Sequence, residues 1–246
     1  MMIMKIRGLA IAAIFVIFWP INTPPAYAQC ADTFMHVKKT LFESELSENE
    51  IIRGLKEALQ IGTGNTVQKV SRVDGYYKNS KIKIPLPQEV QKVEKLLRTT
   101  GFGSKVDAFE LSMNRAAERA APEAKTLFWN AITQMTFSDA RQILGGQDNE
   151  ATLYFKGKTS DRIGEIFKPI VQNTMSEVGV TRAFQDLNAK VQSIPFANML
   201  HFDLDHYVTQ HAIDGLFFML SEEERKIRED PKARVTDLLK KVFAKK

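Results

Sequence analysis

A chain of 246 residues with a formal charge of +5 carries too mild an excess of cations to argue for nucleic acid, whose binding rests on many phosphate contacts. Its one cysteine, Cys30, excludes an intramolecular disulfide, so apolar burial must hold the fold by itself.

The first segment reads as an export signal. Lys5 and Arg7 precede the apolar run LAIAAIFVIF, and a small-x-small site comes after it at Ala26-Tyr27-Ala28. Together these predict a secretory signal peptide over 1–28, cut before Gln29. The competing reading is an uncleaved membrane anchor. Against it, the run is short beside the roughly 20 apolar residues of a bilayer span, and Pro20, Pro24 and Pro25 break the chain on its outer side. Gln29 stands where a lipidated Cys30 would need a small residue. Removing Lys5 and Arg7 lowers the charge by two, from +5 to +3. A flexible mature N-terminus over 29–45 and a helical domain over 46–246 are expected to remain.

Helical signals dominate that domain. LSENEIIRGLKEAL has Ser47 as N-cap and Glu50 as its capping-box partner, then Ile51, Leu55 and Leu59 at helical spacing. IGTGNTVQKVSRVDG predicts a glycine-loosened turn and then a short helix. GYYKNSKIKIPLP reads as extended, because Lys81-Ile82-Lys83-Ile84 alternates and Pro85 and Pro87 disfavour helix. A lone strand makes no sheet, so the segment is expected to lie as a strap across the helices. Pro87 then opens a helix closed by Gly101. Ser104 with Asp107 is expected to cap the next, and Asp139 lies in the first turn of one ending at Gly145 and Gly146. Asn149, Thr159 and Thr181 begin three more, and Asp203 and Thr236 the last two. Pro195 is the expected hinge, with no domain boundary around it. The fold class is all-α: a single-domain, multi-helix bundle with one short extended strap segment.

MNRAAERAAPEAK raises the question of a site. With Met113 at the centre of a helical face, Val106, Phe109, Ala117, Ala120, Ala124, Phe128, Ala131 and Met135 fall within about 60° of it. The stripe keeps phase across Pro122, which predicts one kinked helix or two stacked end to end. Alanines along such a seam let a neighbouring helix come close. Asn114, Arg115 and Glu118 flank it, with Arg115–Glu118 and Arg119–Glu123 at pairing distance along the helix. One reading is a boundary network that fixes helix register. The other is a polar pocket for an anionic ligand.

HFDLDHYVTQHAIDGLFFML invites a metal, yet His201, His206 and His211 are spaced by five, about 140° apart, rather than at the i,i+4 spacing of a chelating helix. Asp203 reads as an N-cap. Asp214 lies among apolar residues on most sides and is expected to be buried or half-buried. A buried carboxylate needs partners. Gln210 and His211 are local ones, and Arg115 is the long-range one, placing Asp214 in the candidate cluster with Asn114, Arg115 and Glu118.

SEEERKIREDPKAR reads as a solvated ladder of Glu222–Lys226, Glu224–Arg228 and Arg225–Glu229 pairs, ended by Pro231. TDLLKKVFAKK puts Leu239, Val242 and Phe243 on one face and lysines on the other, suited to docking on the bundle or to contact with an anionic membrane. GKT at Gly157-Lys158-Thr159 lacks the glycine that begins a phosphate loop. No serine-nucleophile elbow or CxxC pair is present, and no catalytic, cofactor or metal signature stands out.

The blocks LSENEIIRGLKEAL, GYYKNSKIKIPLP, MNRAAERAAPEAK, SDARQILGGQDNEATLYF and YVTQHAIDGLFFMLSEEERKIREDPKARVTDLLKKVF resemble successive stretches of an exported bacterial family, domain of unknown function 4197. The resemblance runs from Leu46 to Phe243 and implies an exported, helical protein with no assigned activity, located in the periplasm of the bacterial envelope. In that family pattern His206 and His211 fall where residues vary or lysine stands.

The function expected from these readings is a non-enzymatic binding or scaffold module for a partner protein or a small apolar ligand, without cofactor, metal or nucleic acid. One alternative is a hydrolase-like or other enzyme with a carboxylate-arginine-amide pocket of Asn114, Arg115, Glu118 and Asp214. The other is a peripheral membrane protein attached weakly to anionic lipid by its basic C-terminal helix.

Overall fold

At Ser47 the hydroxyl accepts the Glu50 N–H at 3.3 Å, and the Glu50 carboxylate accepts the Ser47 N–H at 2.9 Å. This capping box starts α1 (Glu48–Ser71). The computed structural model describes residues 47–177 and 203–234, together with 236, 237, 240 and 242.

The expected turn at IGTGN does not form. α1 runs straight through Gly62 and Gly64 because Leu55, Ala58, Leu59, Gly62, Thr66 and Val70 make one buried stripe. That burial outweighs the roughly 1 kcal/mol a mid-helix glycine costs. Gly62 lies under a neighbouring helix, where an added Cβ would sit 3.4 Å from Ile227 Cδ1.

The strap comes next. It turns over 73–82 and runs without regular structure over 83–87, so its first half is more folded than the alternation of Lys81 to Ile84 suggests. Pro87 then leads into α2 (Gln88–Leu97), which ends in a π-helical turn (Arg98–Phe102) where Gly101 adopts φ 89°. That left-handed conformation suits glycine. α3 (Gly103–Ala120) begins one residue before Ser104 and has no side-chain cap. Asp107, expected to support a cap, pairs with Arg98 at 2.8 Å.

Between α3 and α4 (Ala124–Gln134) a 3-10 turn (Ala121–Glu123) carries Pro122. This is the predicted interruption, and the apolar stripe survives it. Val106, Phe109, Met113, Ala117, Ala120, Ala124 and Phe128 are fully buried, and Ala131 and Met135 nearly so. Arg119 pairs with Glu177 across helices rather than with Glu123.

Thr136 and Asp139 form a second capping box at the start of α5 (Phe137–Gly145). α6 (Glu150–Glu177) then runs unbroken through Thr159. The Thr159 hydroxyl donates to the Phe155 carbonyl at 2.7 Å. It is satisfied inside the helix and begins no new one. α7 (Leu204–Glu229) starts at Asp203, whose carboxylate accepts the His206 N–H at 2.9 Å, and a 3-10 turn (Pro231–Ala233) comes after it. Thr181, Pro195 and His201 lie outside the described residues, as do Leu239 and Phe243 of the tail. The Lys240 N–H donates to the Thr236 carbonyl at 3.0 Å, consistent with a helical start there.

α6 packs on both α3 and α7, and α1 packs on α7 and α4. Phe128, Phe155 and Phe217 meet at the centre with ring centroids 5.3 and 5.9 Å apart. The described residues contain no β-strand, and the protein is an all-α, multi-helix fold. No described helix is long and apolar enough to cross a membrane.

Candidate functional site

A segment crossing helices without a partner strand exposes backbone N–H and C=O groups that still need bonding. Asn114, fully buried on α3, answers for Ile84. Its Oδ1 accepts the Ile84 N–H at 2.8 Å, and its Nδ2 donates to the Ile84 carbonyl at 2.9 Å and to the Glu110 carbonyl at 2.8 Å. A carboxamide carries the donor and acceptor of a peptide group, so Asn114 stands in for the missing neighbouring strand.

Glu118, one turn on and 4% exposed, does the same at the other end of the strap. Its Oε1 accepts the N–H groups of Tyr76 and Tyr77 at 3.0 and 3.2 Å, and its Oε2 accepts from Arg115 Nη1 at 2.5 Å. Arg115 Nη2 reaches Asp74 at 2.6 Å. Burial works against the Arg115 charge, but its bonds to Asp74 and Glu118 prevail and hold the guanidinium above its usual value. Asp74, at φ 67°, also binds Lys78 at 2.8 Å. Hydrogen bonds from Lys78 and Arg115 hold its carboxyl below the usual range.

Tyr76 carries the strap onto α7. Its ring is fully buried and its hydroxyl donates to the Ala212 carbonyl at 2.6 Å. Burial, reinforced by the Glu118 charge, pushes its phenol pKa up. The ring passes so close to Gly215 that an added Cβ would stand 2.7 Å from Tyr76 Cε1.

Asn114, Arg115 and Glu118 are therefore brought together, and Asp74 and Tyr76 join them. Asp214 is not among them. It is exposed on α7, with Gln210 Nε2 at 3.3 Å and Lys156 Nζ at 3.8 Å, whereas Arg115 pairs with Asp74 and Glu118. The expected Arg115–Asp214 pair is overturned. Gln210, Asp214 and Phe218 form an outward stripe at i,i+4 spacing, and a mostly apolar helix leaves that narrow strip unmarked in sequence.

Asp214 lines an open groove of about 650 Å³ with Glu89, His206, Tyr207 and His211. Tyr207 donates to the Pro85 carbonyl at 3.1 Å and meets His211 edge-on. Burial holds the His211 imidazole below its usual value, against the opposing pull of Asp214. The described residues contain no group of three or more His, Cys, Asp or Glu side chains able to hold a metal ion.

A second buried cluster lies where sequence patterning points to solvent. Glu223 and Glu224, expected in a solvated ladder, are 9% and 7% exposed. Glu224 accepts the Ala151 and Thr152 N–H groups at 2.9 and 2.8 Å and the Thr152 hydroxyl at 2.8 Å. It thereby caps the first turn of α6 from another helix, where backbone donors and the helix dipole both favour an anion. Arg228 donates to Glu224 at 2.7 Å and to the Ile143 carbonyl at 2.7 Å. Glu223 binds Asn65 at 2.9 Å and Lys69 at 2.5 Å. The readable signal is phase: Glu223 and Glu224 fall on the stripe of Leu216, Leu220 and Ile227. Beside them, Leu55, Leu59, Phe155 and Leu220 line a partly open apolar pocket of about 20 Å³. That is room for about one water.

No curated protein and no solved structure matches this chain. A family model does match, over residues 45–244, a span that takes in both buried clusters, the strap and every described helix. The chain belongs to the family described as protein of unknown function (DUF4197).

Proposed function

We propose that this protein is a non-enzymatic helical binding module, exported to the periplasm, whose ligand is a partner protein. The observation that carries the reading is the role of Asn114: its carbonyl and both amide hydrogens are occupied by the backbone of Ile84 and Glu110. Glu118 is occupied likewise by Tyr76, Tyr77 and Arg115. The side chains most suggestive of chemistry serve to hold the strap, which leaves binding to the outer surface. A small apolar ligand is the weaker choice, because the apolar pocket beside Leu55, Phe155 and Leu220 has room for about one water. Trp129 and Leu153 meanwhile are more than two-fifths exposed. Export is supported by the basic, apolar and small-x-small sequence of the first 28 residues.

Native mass spectrometry of protein recovered from its own cell envelope tests the reading. A co-purifying protein mass, on a chain that begins at Gln29, is the expected result. A clean mass of the lone chain, or a chain that retains Met1, counts against it.

A further inference from the structure

Serines and threonines inside helices commonly return their hydroxyl hydrogen to a carbonyl one turn back. Thr63, Thr66, Thr133 and Thr159 do so, each at 2.7 to 2.9 Å from the carbonyl of the fourth preceding residue. Ser160 and Thr209 do not. Their hydroxyl oxygens are shut off from bulk solvent and have no hydrogen-bond partner among the described residues. Thr209 as a whole is 6% exposed. A buried hydroxyl left unmatched is costly, so each such group asks for an explanation.

The two orphans come from different helices, Ser160 from α6 and Thr209 from α7, and both line one open groove of about 540 Å³. That volume is within the range of small-molecule sites. Lys156, Lys168 and His206 border the same groove. Among the described residues Lys168 makes no ion pair, and Lys156 has only Asp214, at 3.8 Å. Of the two carboxylates that line the groove, Glu165 is engaged by Arg162, which leaves Asp161 as the one without an ion pair among the described residues, in a groove that also carries Lys156 and Lys168.

We propose that this groove binds a small molecule bearing an oxyanion, a carboxylate or a phosphate ester, whose oxygens accept hydrogen bonds from the Ser160 and Thr209 hydroxyls while Lys156 and Lys168 balance its charge. The site is separate from the strap cluster and does not depend on the partner-protein reading. Both hydroxyl oxygens are covered in the free protein, so binding turns the two side chains toward the groove, and neither has an acceptor among the described residues to give up.

Isothermal titration of the purified protein with inorganic phosphate, with succinate and with glucose as the neutral control tests the site. Saturable binding of at least one anion is expected, weakened about tenfold by Thr209→Val and by Ser160→Ala, the loss of one hydrogen bond. Lys168→Gln should weaken it too, and added salt should compete. Circular dichroism melts of the two hydroxyl variants should stay at or above the wild-type midpoint, since neither hydroxyl bonds within the fold. Phosphate alone assigns the phosphate-ester class and succinate alone the carboxylate class. The proposal is overturned if neither anion saturates, if binding survives both hydroxyl variants, or if glucose binds with the same residue dependence.

Discussion

Asn114 and Ile84, thirty residues apart, share two hydrogen bonds of 2.8 and 2.9 Å in opposite directions, the pairing that two adjacent strands would make. Replacing the side chain with an apolar one of similar size therefore orphans a buried N–H and a buried C=O together. Asn114→Leu is expected to lose about 2–6 kcal/mol, since each of the two unmet buried groups costs about 1–3. Urea unfolding measures it, and an unchanged midpoint would show that the strap is held by other means.

Asp74 supplies a pH dependence. Its folded carboxyl titrates below the ordinary carboxylate range because Lys78 and Arg115 bond to the charged form. A depressed acid stabilises the fold in full above its unfolded pKa and loses that contribution as pH falls through the lower, folded one. Asp74→Asn keeps a residue that tolerates the φ of 67° while removing the charge. The variant should be less stable than wild type at neutral pH, and the two should converge as the medium is acidified below about pH 4 in parallel denaturation series.

Glu224 and Arg228 should behave asymmetrically. Glu224→Ala strands a buried guanidinium and strips three donors at the start of α6 of their acceptor, so about 3–5 kcal/mol is expected to go. Arg228→Met leaves the Glu224 carboxylate its three α6 donors and should cost less. Equal losses in chemical denaturation would contradict the capping role.

Two glycines should respond with opposite signs. Gly64, with nothing within 4 Å of an added Cβ, should gain about 0.5–1 kcal/mol as alanine from helix propensity. Gly215→Ala drives a methyl to 2.7 Å from Tyr76 Cε1 and 3.2 Å from Ile82 Cβ, and overpacking of this kind costs about 1–3 kcal/mol. Thermal melts of the two variants decide the matter.

The helix class, the alanine stripe and the strap were legible in the sequence because each rests on local pattern: period, proline position and capping chemistry. Asn114, Arg115 and Glu118 were legible as a group for the same reason. Their partners were not, because Ile84, Tyr76 and Asp74 approach only through the tertiary path of the strap. Glu223 and Glu224 show the opposite failure. A run of charges reads as solvated until the bare N-terminus of α6, supplied from more than seventy residues upstream, gives one of its carboxylates something to bind. Thr159 and Ser104 looked like helix starts because a hydroxyl can cap or back-bond, and only the neighbours choose between the two.

The capping of α6 by Glu224 bears on the order of assembly. As the chain emerges during synthesis, the first turn of that helix waits for a residue more than seventy positions later, and the Tyr76 hydroxyl waits likewise for the Ala212 carbonyl. A nascent polypeptide halted before residue 212 has neither tie. The strap and the start of α6 gain these two ties only when α7 is in place.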